Sequence, residues 1–488
     1  MMHLPESCQV AVVGSGIAGL TLARELALSG VRSCVVLEAG PAGDLRHKNS
    51  LPGDIGLRLW HTAAADPYFT RSWSSDRPPH FHRASGIRRR VGGRSLYWHG
   101  VCLPIENDVL RAGAWPPSVV GALGSVSGGG LYADTARRLE DWLGEPLDSS
   151  RGPLEAAVLK WLLSQGYFAR TVPQAARFDR ATGIRVPYSP VEHWLGEEAA
   201  ALPPVHARCE VLELAPTASG RVALTLDLAG SRRVLVAHRV CLAAGTLPTT
   251  VLAGRLMMRV AGTDECRLGG LNDHIVQGFT ASVPRRVLAL PRLPGEALCY
   301  VPRTDPTESN LFLDVTETSD PDRVLLTAWT MGEQMSGDSA VRVPKDPRAP
   351  AVVDVRFGAR DHRVISRQTR QLRDLAERLA GNPVLAGEWR FAAGSPEYLP
   401  ARTRARAHRG DGDGIAFFPY VYPLGSVDHE SGTLPLGSPV ADDFGALRCL
   451  PTVRVAGPAA FPRSGAANPS LTTMALAAGQ ARATALSL

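Results

Sequence analysis

Residues Gln9–Gly40, QVAVVGSGIAGLTLARELALSGVRSCVVLEAG, constrain this chain more than any other stretch of it. Val10–Val13 form a short apolar run of buried-strand type, and Val35–Leu37 form a second. Between them Ile17, Leu20, Leu22, Ala23, Leu26 and Leu28 supply the apolar face of a helix. Gly14, Gly16 and Gly19 fit GxGxxG at the junction of strand and helix, and Glu38 ends the second strand 24 residues beyond Gly14. Gly14 permits the tight turn, Gly16 lets backbone approach a pyrophosphate, and Gly19 lets helix and strand pack closely. The first helical residues, Ile17 and Ala18, present unpaired N–H groups and a positive dipole end to phosphates. Glu38, with Ala39 beside it, suits ribose hydroxyls and disfavours a 2′-phosphate, which argues against NADP. FAD and NAD both remain open on this segment alone.

The rest of the composition removes several function classes. The 488 residues leave room for about three domains, and a hydrophobic content of 44% with 20% charged residues is that of a globular protein. A net charge of +6 is mild for this length, and the arginines are dispersed apart from a run at Arg402–Arg409, so no nucleic-acid stripe is expected. The eight cysteines, at 8, 34, 102, 209, 241, 266, 299 and 449, include no CxxC pair and no ligand-spaced His/Cys cluster. Neither structural zinc nor a disulfide framework is expected. No apolar run reaches the ~18 residues of a membrane span, and the N-terminus lacks the pattern of a signal peptide. The expectation is a reduced, cytoplasmic protein.

Residues 205–250 show short strands separated by Gly/Ser turns, with Val211 in one of them. They end in the run Val240–Ala244 followed by Gly245, which reads as another strand reaching the nucleotide and turning into a helix. From here the chain resembles the glucose–methanol–choline (GMC) flavoprotein oxidoreductases. In that family an N-terminal GxGxxG unit, a later strand ending in AAG, a GxNxxDH-like stretch and a C-terminal segment build the FAD domain around an inserted substrate domain. GGLNDHIVQG, Gly269–Gly278, takes the third place, one residue short before Asp273 and His274. His274 is expected to close a polar contact in the fold rather than to do chemistry.

The C-terminal segment carries the strongest resemblance. His429, Gly432, Thr433 and Gly437 match the family's HxxGTxxMG, with Leu436 in the Met place, and Gly465, Asn468, Pro469 and Thr472 match the opening of its last helix. Read from the residues alone, Pro469 suits the first helical position and Asn468 the N-cap, with Ser470 next in the first turn. Small residues then dominate SLTTMALAAGQARATAL, as in a tightly packed core helix whose positive end points at what precedes it. The resemblance implies that His429 is the general base of alcohol oxidation and that Asn468 holds the substrate oxygen against flavin N5. Histidine has the right chemistry, because it titrates near neutrality. Where the family has an Asp near the flavin ribityl chain this sequence has Gly457.

In VGGRSLYWHG, Val91–Gly100, the resemblance makes Gly92 and Gly93 the start of a loop along the flavin, continued by Ser95, Leu96, Tyr97 and Trp98. Some family members attach FAD covalently through a histidine five residues after the first glycine. Tyr97 stands there, so the resemblance implies non-covalent FAD. His99 lies two residues further on, and His429, which matches the base motif, is favoured over it as the base.

The implied fold class is α/β, a Rossmann-type FAD-binding domain (1–120, 201–280 and 425–488) with an inserted α+β substrate domain on an antiparallel sheet (121–200 and 281–424). NLFLDVTE, DRVLLTAWT and AVVDVRFG are the expected strands of that sheet, and Val364, Ile365, Leu372, Leu375 and Leu379 share one face of a helix stopped by Gly381 and Asn382. Trp329 and the run Phe417–Pro423 could line an alcohol pocket or lie in the core, and Gly124–Gly130 could be a lid or a plain connection. The expected partners are a small alcohol, such as a sugar, amino sugar or polyol-like metabolite, and oxygen or another electron carrier. A lyase of the same fold without redox turnover, as in hydroxynitrile lyases, and a nicotinamide-dependent dehydrogenase are the alternatives.

Overall fold

The computed structural model describes residues 4–48, 66–75, 77, 81, 85–179, 184–290, 292, 295–304, 306–335, 337–384, 389, 391–393 and 414–488. The arginine run at 402–409 lies outside them. The first unit is built on a parallel sheet in the order Leu450–Val455, Ser231–Leu242, Ser7–Val13, Cys34–Leu37, Val205–His206. Both faces of its central strand are covered, which is why Val10, Ala11 and Val12 run on without polar alternation and are fully buried. The helices Ile17–Leu28 and Ser470–Ala485 pack on one face, where Leu20, Leu22 and Leu26 meet Ala477 and Ala481. Alanines at these positions let the two backbones approach. The strand Ser231–Leu242 is long enough to do two jobs: its first half closes an antiparallel meander with Val222–Leu228 and Cys209–Pro216, and its second half joins the parallel sheet.

The second unit is a seven-stranded sheet, antiparallel except for one edge pair, whose central strands are His274–Pro284, Arg323–Glu333 and Ser309–Glu317. One face is covered by Pro153–Ser164 and by Ala359–Ala380, whose Val364, Leu372, Leu375 and Leu379 are buried as the helical spacing predicts, while Ile365 is half-buried. Residues facing the other way, among them Tyr300, Phe312, Met331 and half-buried Trp329, join the core of the first unit. Tyr300, Phe312 and Trp329 form a stack with ring centroids 6.0 and 5.2 Å apart. Phe417 instead packs edge-on against Phe279 on the helix-covered face, so the 417–423 run contributes to both sides.

Three expectations need correction. AVVDVRFG supplies a strand, Ala351–Asp354, but it belongs to a separate four-stranded sheet with Glu265–Gly269, Ala340–Pro344 and Trp73–Ser75. The boundary drawn at 280/281 cuts the strand His274–Pro284, which lies wholly in the antiparallel sheet. The segment 121–200 divides between the units, because Leu131–Leu143 packs on the C-terminal helix and Pro153–Ser164 on the antiparallel sheet. Gly124–Gly130 makes a closed turn, with Ser125 N–H donating to the Gly129 carbonyl at 3.0 Å, in keeping with a plain connection.

The eight cysteines are free thiols. Among the described residues no helix is long and apolar enough to cross a membrane.

Candidate active site

A cavity of about 640 Å³ opens where the strands Ser7–Val13 and Ser231–Leu242 end. This is the C-terminal edge of a parallel sheet, where such folds bind their ligands. The glycine turn is sterically obligatory. A Cβ on Gly14 would stand 2.5 Å from the Ala243 carbonyl oxygen, and one on Gly19 would stand 2.0 Å from that of Gly14. Gly16 has nothing within 4 Å of its Cβ position, and its open side lines the cavity together with Gly14, Ile17 and Ala18.

Glu38 and Ala39 line the same cavity. The Glu38 carboxylate accepts hydrogen bonds from Ser15 N–H at 3.0 Å, Ser15 Oγ–H at 2.7 Å and Gly40 N–H at 2.7 Å. Burial raises its pKa, while these bonds and nearby Arg89 oppose the rise. Ser15 Oγ also accepts from Gly92 N–H at 3.2 Å, so one hydroxyl ties the glycine turn, the acid and the Gly92–Gly93 loop together. Nothing in the sequence singled out Ser15 for this.

Gly93, Ser95 and Trp98 line the cavity, as do Val211, Ala244, Gly245, Gly457, Pro469 and Ser470. Leu96 and Tyr97 do not: both are buried in the apolar cluster beneath the first helix, and the Tyr97 hydroxyl turns toward Arg90. Past the short helical turn Gly93–Leu96 the chain directs two successive side chains, Leu96 and Tyr97, into the core, and Gly92 does not line the cavity either, so the loop is not one continuous cradle. Gly457 has φ 89°, where an aspartate would be strained, and it lets the chain turn into Pro458–Ala460.

The cavity suits a dinucleotide. Beyond the glycine turn and the acid, four buried polar atoms on its wall have no partner among the described residues: Trp73 Nε1, Arg94 Nε, Arg255 Nε and Thr473 Oγ1. Leaving such groups unpaired costs about 1–3 kcal/mol each, so the wall offers hydrogen-bonding positions to a polar ligand or to water.

His429 stands on this wall, between Asp428 and Glu430. Asp428 adopts φ 60°, uncommon outside glycine, and its carboxylate meets Arg94 at 2.9 Å. Arg94 also grips Glu430 with bonds of 2.6 and 2.9 Å, fixing both neighbours of His429. This segment is stitched to the GGLNDH stretch, where Asn272 and Ser431 exchange backbone hydrogen bonds of 3.0 and 2.9 Å and Asp273 accepts from Gly425 N–H. The stitching carries His274 to His429, with their Nδ1 atoms 3.0 Å apart and the rings edge to face. The other nitrogen of His274, Nε2, is 3.1 Å from the Gly465 carbonyl oxygen.

Both histidines are held neutral. Burial lowers His274 to about 4, against a partial upward pull from Glu333. Burial, and then His274, Arg94 and His99, push His429 well below the usual histidine value. His99 thus stands near the corner, and its backbone carbonyl accepts from Gln174.

The loop carrying Asn468 is clamped by Glu333 and Asn310 of the second unit and by Glu106 of the first. Glu333 accepts from Ser464 N–H at 2.9 Å and Gly465 N–H at 3.1 Å. Glu106 accepts from Ala466 N–H at 3.1 Å, and Asn310 Nδ2–H donates to the Ala466 carbonyl at 2.7 Å. Asn468 itself is not the helix cap: the helix begins at Ser470 with Pro469 as its N-cap, one residue later than the proline rule predicts. Its buried Oδ1 has no partner among the described residues.

Residues 336–477 match the family model described as GMC oxidoreductase, and residues 12–74 match that of the NAD(P)-binding Rossmann-like domain. No curated protein matches the chain. Among solved structures, pyridoxine 4-oxidase from Mesorbium loti superposes with a TM-score of 0.63 at 18% sequence identity, covering 98% of this chain and 99% of that one. The His429 and Asn468 motifs thus lie within a GMC oxidoreductase domain carried with a Rossmann-like nucleotide unit, and that domain marks the chain as an oxidoreductase acting on CH–OH groups.

Proposed function

We propose that this protein oxidises a small alcohol to a carbonyl with non-covalently held FAD in the cavity and His429 as the general base. The observation that carries this reading is the placement of a neutral histidine on the wall of a dinucleotide-sized cavity. A base must be unprotonated before it can take a hydroxyl proton, and burial keeps His429 in that state at pH 7. Glu333, Glu106 and Asn310 fix residues 464–466, and the Asn468 amide that follows, next to the cavity-lining Pro469 and Ser470, would donate to the substrate oxygen.

Glu38 would take the ribose hydroxyls, the first turn of Ile17–Leu28 the pyrophosphate, and the N-terminal end of Ser470–Ala485 the negative charge that gathers on a reduced ring. FAD supplies the hydride acceptor when bound. His429 takes the hydroxyl proton, Asn468 holds the oxygen as the C–O bond gains double-bond character, and the surrounding buried wall excludes water. Tyr97, turned into the core, leaves no histidine at the attachment position and supports a non-covalent cofactor.

The test is anaerobic addition of alcohols to the yellow protein, with a panel of pyridoxine, sugars, amino sugars and polyols. Bleaching of the flavin band by one of them, with the matching carbonyl formed in equal amount, is the expected result. Substrate consumed while the band stays intact would overturn the redox reading in favour of a lyase.

A further inference from the structure

His274 touches His429 but was expected only to close a polar contact. The Gly465 carbonyl can only accept, so Nε2 of His274 must carry a proton and donate it at 3.1 Å. A neutral imidazole has one N–H, and His274 is neutral. Its Nδ1 is therefore a bare lone pair, and it faces Nδ1 of His429 at 3.0 Å. Two lone pairs at that distance would repel, so Nδ1 of His429 must bear the proton. We propose that His274 is a positioning residue which, anchored by the Gly465 carbonyl, fixes the His429 proton on Nδ1 and leaves Nε2 as the lone pair that accepts the substrate proton.

The inference rests on His429 being the base, and it adds which nitrogen acts and what selects it. The direction of the chain is one-way: a backbone acceptor sets His274, and His274 sets His429. Nε2 of His429 makes no hydrogen bond among the described residues, so nothing competes for that lone pair. The charged groups around the dyad come from every neighbouring segment: Asp428 and Glu430 beside His429, Arg94 and His99 across from it, and Glu333 near His274. Arg94 and His99 disfavour a second proton on His429, and Glu333 weakly favours one on His274. Protonating His274 would turn its Nδ1 into a donor and break the order.

Long-range ¹H–¹⁵N correlation of ¹⁵N-histidine-labelled holoenzyme tests this directly. The expected wild-type pattern is a protonated Nδ1 and a bare Nε2 on His429. His274→Phe keeps a ring of similar size but no acceptor. It should release His429 from the Nδ1–H tautomer and slow flavin reduction about 10–100-fold, the usual cost of losing a ligand-orienting partner, with FAD content and KM unchanged. His274→Gln offers an amide acceptor and donor spaced much as in the imidazole, and should recover most of the rate.

A wild-type His429 protonated on Nε2, or a His274→Phe protein with the same tautomer and rate, would overturn the proposal. Should the Phe variant not fold, the wild-type spectrum and the Gln variant still decide. Failure of the base assignment would look different: His429→Ala would reduce its flavin at the wild-type rate, whatever the tautomer in the native protein.

Discussion

Ser15 and Glu38 are 23 residues apart, and one strand, one helix and a second strand suffice to bring them together. His274 and His429 are 155 residues apart, and His274 reaches Gly465 across 191. The nucleotide turn is therefore a local structure, fixed by steric necessity within a single supersecondary unit. The histidine corner is a junction between two units and depends on both being folded and docked. A local motif tolerates little change in its own residues, whereas a junction can be broken from several places, including residues that never touch substrate.

That contrast sets the order of expected effects. Gly19→Ala should be the most damaging, because its Cβ would enter the Gly14 carbonyl, which belongs to rigid backbone. The purified variant should carry essentially no flavin, measured as the ratio of visible to ultraviolet absorbance. A fully yellow Gly19→Ala protein would show that the turn has more freedom than its geometry allows.

Asn468→Ala removes one donor at the junction and should leave cofactor content intact while slowing flavin reduction about 10²–10³-fold, the range for a donor that stabilises a developing oxyanion. Stopped-flow reduction measures this, and a loss confined to KM would mean that Asn468 only binds substrate.

The smallest effect concerns the clamp. Burial raises Glu106 to about 7, with Glu333 adding to the rise and Arg303 opposing it. In the unfolded chain the same carboxyl titrates near 4.5. The folded protein thus retains a proton that the unfolded chain has lost, and stability falls as pH rises from the unfolded value through the folded one. Glu106→Gln cannot ionise and escapes that loss. Its melting temperature should gain on wild type by roughly 2 °C between pH 5 and pH 8, and an offset that does not change with pH would contradict the burial argument.

The same contrast explains what could be read from the residues alone. GxGxxG, the following acid and the small-residue helix are short-range patterns, and each marks a place where only certain side chains fit. The alternation in NLFLDVTE and DRVLLTAWT revealed strands, but alternation does not say which sheet a strand joins, and AVVDVRFG went to another one. His274–Pro284 is buried along its whole length, so it shows no period of two, and the domain boundary was drawn through it. Asn468 fitted the N-cap rule, yet Pro469 occupies that place with φ −74°, which a proline adopts without cost.

Most of what organises the corner left no local trace. Glu333 and Glu106 act through backbone N–H groups of a loop more than 100 residues away, and a carboxylate on a strand or before a helix has no sequence mark for that role. Arg94 stood inside the glycine loop, but its partners Asp428 and Glu430 flank a histidine from the far end of the chain. The GGLNDH stretch drew attention to His274, and only its distance from His429 turns a fold contact into a partner of the base.

The central claim is that His429 removes the substrate proton, and the most direct measurement is anaerobic single-turnover flavin reduction by the alcohol that bleaches the wild-type protein, repeated with His429→Ala. Loss of a general base predicts a rate lower by about 10²–10⁴-fold at unchanged FAD content, with the acid limb of the wild-type pH profile below the usual histidine value because burial depresses that pKa. A His429→Ala protein that bleaches at the wild-type rate would contradict the claim.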